Sequence, residues 1–133
     1  MYVPDDERML AIQVMAMPRD TNAHGTIFGG FILSLIDQAG AIRAHAGGAG
    51  KVVTVAMQRV EFTEPVLVGD LVTCRGWVVS RGRTSITVCV QVTARLATAA
   101  DAEPRDVTQA EVKYVQVDER GKPLPLGGRP PVA

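Results

Sequence analysis

One stretch of this chain, residues 30–46, is apolar on nearly every side when it is drawn as a helix. A helix with this pattern has almost no face that prefers water, so it must be covered on most of its sides. One sheet covers only part of a helix, and a second subunit is the natural cover for the remainder. The stretch therefore predicts a central helix wrapped by a sheet, in a protein that associates with itself.

Turn-forming residues precede and follow this helix. The segment before it, PRDTNAHGTIFGG, is rich in Asp, Asn, Thr and Gly, which form turns and helix caps. Four residues after it, GGAG at 47–50, fit the preference for glycine just past a helix terminus. We therefore expect the helix to begin near Gly29 or Gly30 and to end at these glycines. The short apolar segment 9–17 is expected to be an opening strand.

The remainder of the chain changes to a period of two residues. Four long runs rich in β-branched residues cover positions 52–62, 71–80, 84–96 and 107–118. In the third run apolar and polar side chains alternate, so one face of that strand is expected to meet a core. Strands this close in sequence are expected to pair antiparallel with their neighbours along the chain. The predicted fold class is α+β, with an antiparallel sheet around one central helix.

Length and composition favour a single domain, 1–133, with a Pro/Gly-rich tail at 119–133. Fourteen Lys and Arg balance fourteen Asp and Glu, so no global charge favours binding to nucleic acid or to an anionic membrane. Cys74 and Cys89 lack the spacing of a zinc site and the density of a disulfide scaffold, and we interpret both as reduced. The acidic N-terminus is unlike a secretory signal, and no apolar run reaches about 18 residues, so a cytoplasmic location is expected.

A carboxylate, Asp37, lies in the middle of the apolar helix. One interpretation places it on a solvated helix face, beside Ser34, Gln38 and Arg43. Most of its other neighbours, three or four positions away, are small or apolar. A carboxylate in such surroundings is costly to desolvate unless it has a use, so the other interpretation is a catalytic group.

The start of the helix offers a second part of a site. Unpaired N–H groups and the positive end of the helix dipole lie there, and Gly29 and Gly30 would let another molecule approach them closely. These groups could hold a developing oxyanion. In the preceding loop, Asn22 is either a group that orients water or substrate or an ordinary turn residue. His24 is a lone loop histidine, which more often has no catalytic role.

The sequence resembles a known family of enzymes, the hotdog-fold acyl-CoA thioesterases of the YciA and brain acyl-CoA hydrolase branch. The resemblance covers roughly residues 17–125 and is carried, in order, by TNAHGTIFGGFILSLIDQAGAI, VVTVAMQRVEFTEPVLVGD, SRGRTSI and KYVQVDERGKPLP. It implies a homodimer as the minimum active unit, joined sheet edge to sheet edge and often assembled as a trimer of dimers. It also implies hydrolysis of acyl-CoA to a carboxylic acid and coenzyme A, with no metal or other cofactor.

The resemblance also implies roles for individual residues. Asp37 matches the helix carboxylate that acts as nucleophile or general base, and Asn22 matches a loop asparagine that works with an acidic residue of the facing unit. Phe28, Gly29 and Gly30 match an element whose backbone N–H polarises the thioester carbonyl. The segment that matches residues near the nucleotide and phosphates of coenzyme A consists of Gly82, Arg83, Thr84 and Ser85.

Two other functions stay open at this point. A hotdog dehydratase acting on 3-hydroxyacyl thioesters would pair a histidine with a carboxylate, and His24 is the candidate near the site. A non-catalytic acyl-CoA sensor would keep the pocket without turnover, but such a protein has no need of both Asp37 and Asn22. Arg83, with Arg81 or Lys113 as further candidates, is expected to bind phosphate unless the hairpin tip is merely solvated. Thioester hydrolysis is the function that we expect.

Overall fold

The computed structural model describes residues 9–127 and contains, within this range, one α-helix and five strands. Their bounds in chain order are β1 Leu10–Met15, α1 Gly29–Ala46, β2 Val52–Gln58, β3 Asp70–Arg81, β4 Ser85–Leu96 and β5 Arg105–Gln116. The predicted α+β class is confirmed, and α1 begins and ends at the predicted glycines. The acidic N-terminal segment 1–8 and the last part of the predicted tail, 128–133, lie outside the described residues.

β2 is shorter than the sequence predicts. The run was expected to continue to Phe62, but the strand ends at Gln58. Arg59 has a φ of 61°, in the left-handed region, and a strand does not continue through this conformation. The chain therefore leaves the sheet at Arg59, and Phe62 reaches the start of α1, where its ring lies 3.8 Å from the place that a β-carbon on Gly29 would occupy.

The strands form one antiparallel sheet in the order β1-β3-β4-β5-β2. β3, β4 and β5 pair with their neighbours along the chain, as expected. The same expectation is wrong for β2, which pairs with β5 and lies at the opposite edge of the sheet from β1. The connector 59–69 is too long for a tight hairpin, so β2 and β3 are not forced together.

α1 packs across one face of this sheet. The side of the helix that faces the sheet is made of buried apolar and small residues, which are Ile32, Leu35, Ile36, Ala39, Gly40 and Ala44. The alternating face of β4 was predicted to meet a core and does so through Ile86, Val88, Val90, Val92 and Ala94, all of which are buried. Leu96 was expected on the same face but is exposed, because it ends the strand.

Arg43 does not extend from the helix into solvent. Its Nε donates a hydrogen bond of 3.0 Å to the backbone oxygen of Gly76 in β3. A β-carbon at position 76 would lie 2.8 Å from Cγ of Arg43, so glycine leaves room for the arginine stem between helix and sheet. A cation in the last turn of α1 also complements the negative end of the helix dipole.

Both cysteines are free thiols buried in the sheet. Burial raises the pKa of Cys74 to about 12. The pKa of Cys89 is also raised, chiefly by burial. These properties agree with the interpretation of both residues as reduced.

Apolar side chains stay uncovered on α1 and on the edge strand β2. Ile42 of the helix is 43% exposed, and Val53 and Val55 of β2 are 43% and 52% exposed. The sequence predicts cover by a second subunit for the part of the helix that the sheet leaves open, and Ile42 lies on that part; the exposed valines of β2 were not predicted. Among residues 9–127, no helix is both long enough and apolar enough to span a membrane.

Candidate functional site

Asp37 is half-buried on α1 and faces the edge strand β2. Its Oδ1 accepts a hydrogen bond of 2.7 Å from the hydroxyl of Thr54. Ser34 and Gln38, two of the proposed neighbours on a solvated face, are exposed. The carboxylate therefore lies at the border between solvent and the sheet, and one of its oxygens is held by a side chain from another element.

The same turn of the helix receives a second hydroxyl. Tyr114 of β5 is buried, and its hydroxyl donates a hydrogen bond of 2.7 Å to the backbone oxygen of Asp37. Burial raises the pKa of this phenol, and the negative charge of Asp37 and hydrogen bonding to it act in the same direction. A raised pKa favours the protonated hydroxyl, which is the form that can donate this hydrogen bond.

The helix start is open to solvent. Phe28 is the N-cap residue and makes no side-chain hydrogen bond to the first turn, whereas its carbonyl accepts the N–H of Phe31 at 3.0 Å. Gly29 and Gly30 are the first two helical residues, where backbone N–H groups have no partner within the helix. A substrate oxygen could therefore bind there.

Two grooves meet this helix start. One, of about 320 Å³, reaches Gly29 and is otherwise lined by the apolar residues Ile27, Ile32, Phe62, Pro65, Val66 and Val107 and by the polar residues Thr26, Thr63 and Glu64. The other, of about 310 Å³, reaches Gly30 and is lined by Arg19, Asp20, Thr21, Phe28 and Phe31. The exposed ring of Phe28 lies over Gly30, where a β-carbon would overlap it. Each glycine thus lines one groove and has an aromatic ring beside it.

Asn22 builds the loop before the helix. Its Oδ1 accepts hydrogen bonds from the backbone N–H groups of His24 at 2.8 Å and Thr26 at 3.2 Å. Its Nδ2 donates to the hydroxyl of Thr26 at 2.8 Å. This is the turn role that the sequence left open, and the predicted role of Asn22 in orienting a substrate stays a prediction. His24 is exposed in the same loop.

The predicted coenzyme A segment forms the hairpin between β3 and β4. The N–H of Gly82 donates to the backbone oxygen of Ser85 at 2.8 Å, and a β-carbon on this glycine would lie 2.5 Å from the serine hydroxyl. Arg83 is exposed, and its backbone oxygen accepts the N–H of Leu126 from the C-terminal segment. Thr84 follows it, half-buried, and its backbone oxygen accepts the N–H of Gln116. The guanidinium of Arg83 is thus available to a ligand.

This hairpin lies at the far end of α1 from the two glycines. Arg81 at its base donates a hydrogen bond of 2.7 Å to the backbone oxygen of Gly47, the C-cap residue of the helix. A helix of 18 residues is about 27 Å long. Within one chain, the predicted oxyanion donors therefore lie far from the predicted phosphate-binding residues. Arg81 binds the C-terminal end of the helix.

The sequence interpretation missed Thr54 and Tyr114. They are directly opposite each other in the β2–β5 pair, so their side chains project from the same face of the sheet. The two residues meet because β2 pairs with β5. β2 was expected to pair with a neighbour along the chain, so this contact was not predicted. Gly40 was the available signal, because a glycine in the middle of a helix often marks a close approach by another group.

In the described part of the chain, His, Cys, Asp and Glu side chains nowhere gather in threes as potential metal ligands. Residues 24–95, more than half of the chain, match the model of the thioesterase superfamily. The chain belongs to the thioesterase superfamily. Its helix with Asp37 and its β2, β3 and most of β4 all lie within the matched region.

Individual members of the superfamily are similar over most of their length. The acyl-CoA thioester hydrolase YciA of Salmonella typhimurium is 43% identical over 118 residues, which are 88% of this chain and 89% of that protein. The structure of a hexameric hotdog fold thioesterase of Campylobacter jejuni is 46% identical, with a TM-score of 0.81 over 89% of this chain and 90% of that one. The predicted hotdog fold is therefore confirmed.

Two solved structures of variants of another acyl-CoA hydrolase are also similar to this chain. Staphylococcus aureus acyl-CoA hydrolase is 28% identical, and its aspartate-to-alanine variant covers 86% of this chain and 69% of its own, with a TM-score of 0.77. Its threonine-to-alanine variant covers 86% and 70%, with a TM-score of 0.76.

Proposed function

We propose that this protein hydrolyses acyl-CoA thioesters to a free carboxylic acid and coenzyme A. The observation that carries the proposal is the half-buried Asp37, held by the hydroxyl of Thr54 on a helix whose first N–H groups are open. In the S. aureus hydrolase the aspartate and the threonine that were replaced are 17 residues apart, the same spacing as between Asp37 and Thr54. The similarity to the YciA hydrolase supports the same substrate class.

The chemistry needs a group that attacks and a group that stabilises the oxyanion. Asp37 either takes a proton from a water molecule, whose oxygen attacks the thioester carbon, or attacks directly to give a mixed anhydride that water then hydrolyses. The N–H of Gly30 donates a hydrogen bond to the carbonyl oxygen and stabilises the negative charge that develops there. In either route the carbon–sulfur bond breaks when the tetrahedral intermediate collapses, before any anhydride is hydrolysed, and coenzyme A leaves as a thiolate that accepts a proton. We propose that neither a metal nor another cofactor takes part.

We propose that the two groups act on one carbonyl from different chains. Asp37 lies seven residues after Gly30, which corresponds to about 10 Å along the helix axis. A carbonyl carbon and its oxygen are about 1.2 Å apart. Asp37 of one subunit is therefore proposed to act with Gly30 of another, and the same exchange would bring Arg83 of the hairpin toward the open helix start.

The edge strand β2 is the proposed contact between these two subunits. Val53 and Val55 of this strand are exposed, and one edge of the strand is unpaired. Thr54, between the two valines, binds Asp37. A homodimer joined at this edge is the proposed minimum active unit. The hexameric state of the C. jejuni thioesterase supports a further assembly into a trimer of dimers.

Two further parts of the proposal concern binding and location. Arg83 is proposed to bind a phosphate of coenzyme A, with Gly82, Thr84 and Ser85 shaping the hairpin around it. Asn22 shapes the loop that borders the open helix start, and from the facing subunit it positions the substrate.

The cytoplasm is the proposed compartment, which the two free, buried cysteines support.

The test is the release of coenzyme A from a panel of acyl-CoAs of increasing chain length. Replacing Asp37→Asn keeps the shape of the side chain and removes its charge and basicity, so we expect kcat to fall by about 10²- to 10⁴-fold. Asp101→Asn, in an exposed connector, is the matched control and should retain full activity. Binding of acyl-CoA without release by the wild-type protein would refute hydrolysis and favour a sensor.

A further inference from the structure

The Tyr114 hydroxyl occupies an unusual position in α1. It donates to the backbone oxygen of Asp37 at 2.7 Å. In a regular helix this oxygen is the acceptor for the backbone N–H four residues later, at Ala41. A side chain from β5 therefore takes part in the hydrogen-bond ladder of the turn that carries Asp37.

Gly40 makes this position possible. A β-carbon at residue 40 would overlap the tyrosine oxygen, and it would lie 3.0 and 3.1 Å from ring carbons Cζ and Cε2. Glycine is unfavourable in the middle of a helix compared with alanine. Its presence is explained by the space that the Tyr114 hydroxyl requires.

The opposite end of Asp37 is held by the residue that faces Tyr114 across the sheet. Thr54 is the cross-strand partner of Tyr114, and its hydroxyl donates to Oδ1 of Asp37 at 2.7 Å. One cross-strand pair thus holds the backbone and the carboxylate of the same residue. The chain bulges immediately after Thr54, between Thr54 and Ala56, so the strand departs from regular pairing where this contact is made.

We propose that Tyr114 is a positioning residue for Asp37, and that Gly40 is present so that the tyrosine hydroxyl can enter the helix. The proposal rests on the proposed function of Asp37 in thioester hydrolysis. Tyr114 does not touch substrate: it fixes the turn from which the carboxylate projects, so that the Thr54 hydroxyl and the substrate both meet the carboxylate in one orientation. Small displacements of a reacting group are costly, because attack requires a narrow range of distance and angle.

The first test is Tyr114→Phe, which removes the hydroxyl and keeps the ring. We expect kcat for acyl-CoA hydrolysis to fall about 10- to 100-fold, with KM changed by less than about twofold, since the substrate contacts are retained. Val112→Ala is the matched control, because Val112 is a fully buried neighbour on the same face of β5. This control lowers the thermal midpoint and should keep kcat, so it separates loss of packing from loss of positioning.

The second test uses the overlap at residue 40. Gly40→Ala should lower both kcat and the thermal midpoint, because its methyl group displaces the hydroxyl. In the Tyr114→Phe background the same substitution should cost less stability, since the overlap with the hydroxyl is gone and only the contacts with ring carbons remain. An equal loss of thermal midpoint in both backgrounds would contradict the role assigned to Gly40.

A crystal structure of the Tyr114→Phe variant decides the proposal independently of activity. The expected result is a Thr54 Oγ1 to Asp37 Oδ1 distance beyond hydrogen-bonding range, compared with 2.7 Å in the native chain. An unchanged distance would overturn the proposal. A wild-type protein that releases no coenzyme A would refute the proposed function, and the distance would then still report whether Tyr114 positions Asp37.

Discussion

Thr54 shows how one hydroxyl can set the behaviour of a carboxylate. Asp37 projects from a helix, but the group that binds its Oδ1 comes from a strand 17 residues later. Such a contact fixes which oxygen faces the sheet and leaves the other for water or substrate. Hydrogen bonds to charged groups are also stronger than those between neutral groups.

Replacing Thr54→Val removes this hydroxyl and nearly conserves side-chain volume. Loss of a hydrogen bond to a charged group costs about 1.5–3 kcal/mol, so kcat should fall about 10- to 100-fold. Steady-state kinetics with the best acyl-CoA of the panel would measure the change. Thr54→Ser keeps the hydroxyl and should retain most of the activity. Equal losses in the serine and valine variants would show that the methyl group of Thr54, rather than its hydroxyl, matters.

The connector between β2 and β3 is the element that forms a wall of the groove at Gly29. Asp70 at the start of β3 is buried, and its Oδ2 accepts the N–H of Leu67 at 2.9 Å and Nη2 of Arg105 at 2.5 Å. The backbone oxygen of Val66 accepts the N–H of Ile27 at 2.9 Å. The connector is thus fixed both to the sheet and to the segment that leads into α1.

Replacing Asp70→Asn breaks a mostly buried ion pair without changing the size of the side chain. Removing one partner of a buried pair costs about 3–5 kcal/mol, and the partial exposure of Arg105 predicts a value near 3 kcal/mol. Urea unfolding at one fixed protein concentration would give the change in free energy of unfolding. The exposed Asp101→Asn variant serves as the reference, and a difference between the two below about 1 kcal/mol would contradict the assignment.

The elements whose bounds could be predicted are those that are decided locally. α1 lies between turn-forming segments, and β4 alternates along its length, so neighbouring residues alone determine both. The place of β2 could not be predicted, because it depends on the left-handed backbone of Arg59 and on pairing with a strand about 50 residues away. For the same reason Asp37 stood out in the sequence, whereas Thr54 and Tyr114, which reach it through that pairing, did not.

At the scale of the whole molecule, the geometry makes a prediction about shared sites. If Asp37 of one subunit acts with Gly30 of another, two defective chains can complement each other. Gly30→Pro removes the N–H that would bind the oxyanion, and proline is tolerated in the first helical turn. The exposed ring of Phe28, which lies over this residue, can rotate away.

Co-expression of Asp37→Asn and Gly30→Pro chains with different tags tests this prediction. Oligomers that carry both tags should hydrolyse acyl-CoA, although neither variant alone does, because one site of each mixed dimer contains both intact groups. Size-exclusion chromatography would verify that all three preparations have the same oligomeric state. Inactive mixed oligomers would mean that each site is made by one chain, contrary to the proposed geometry.

The burial of the two thiols affects how an assay of coenzyme A release is interpreted. Aromatic disulfide reagents report free coenzyme A by reacting with its thiolate, and the thiolate is also the reactive form of cysteine. Cys74, with a pKa of about 12 and no exposed surface, is almost entirely protonated at assay pH, and burial acts on Cys89 in the same direction. The thiols of the folded protein should therefore not react with the reagent, and no coloured product should form without substrate. A slow rise in absorbance without substrate would report unfolding, which makes the same reagent a measure of stability for every variant.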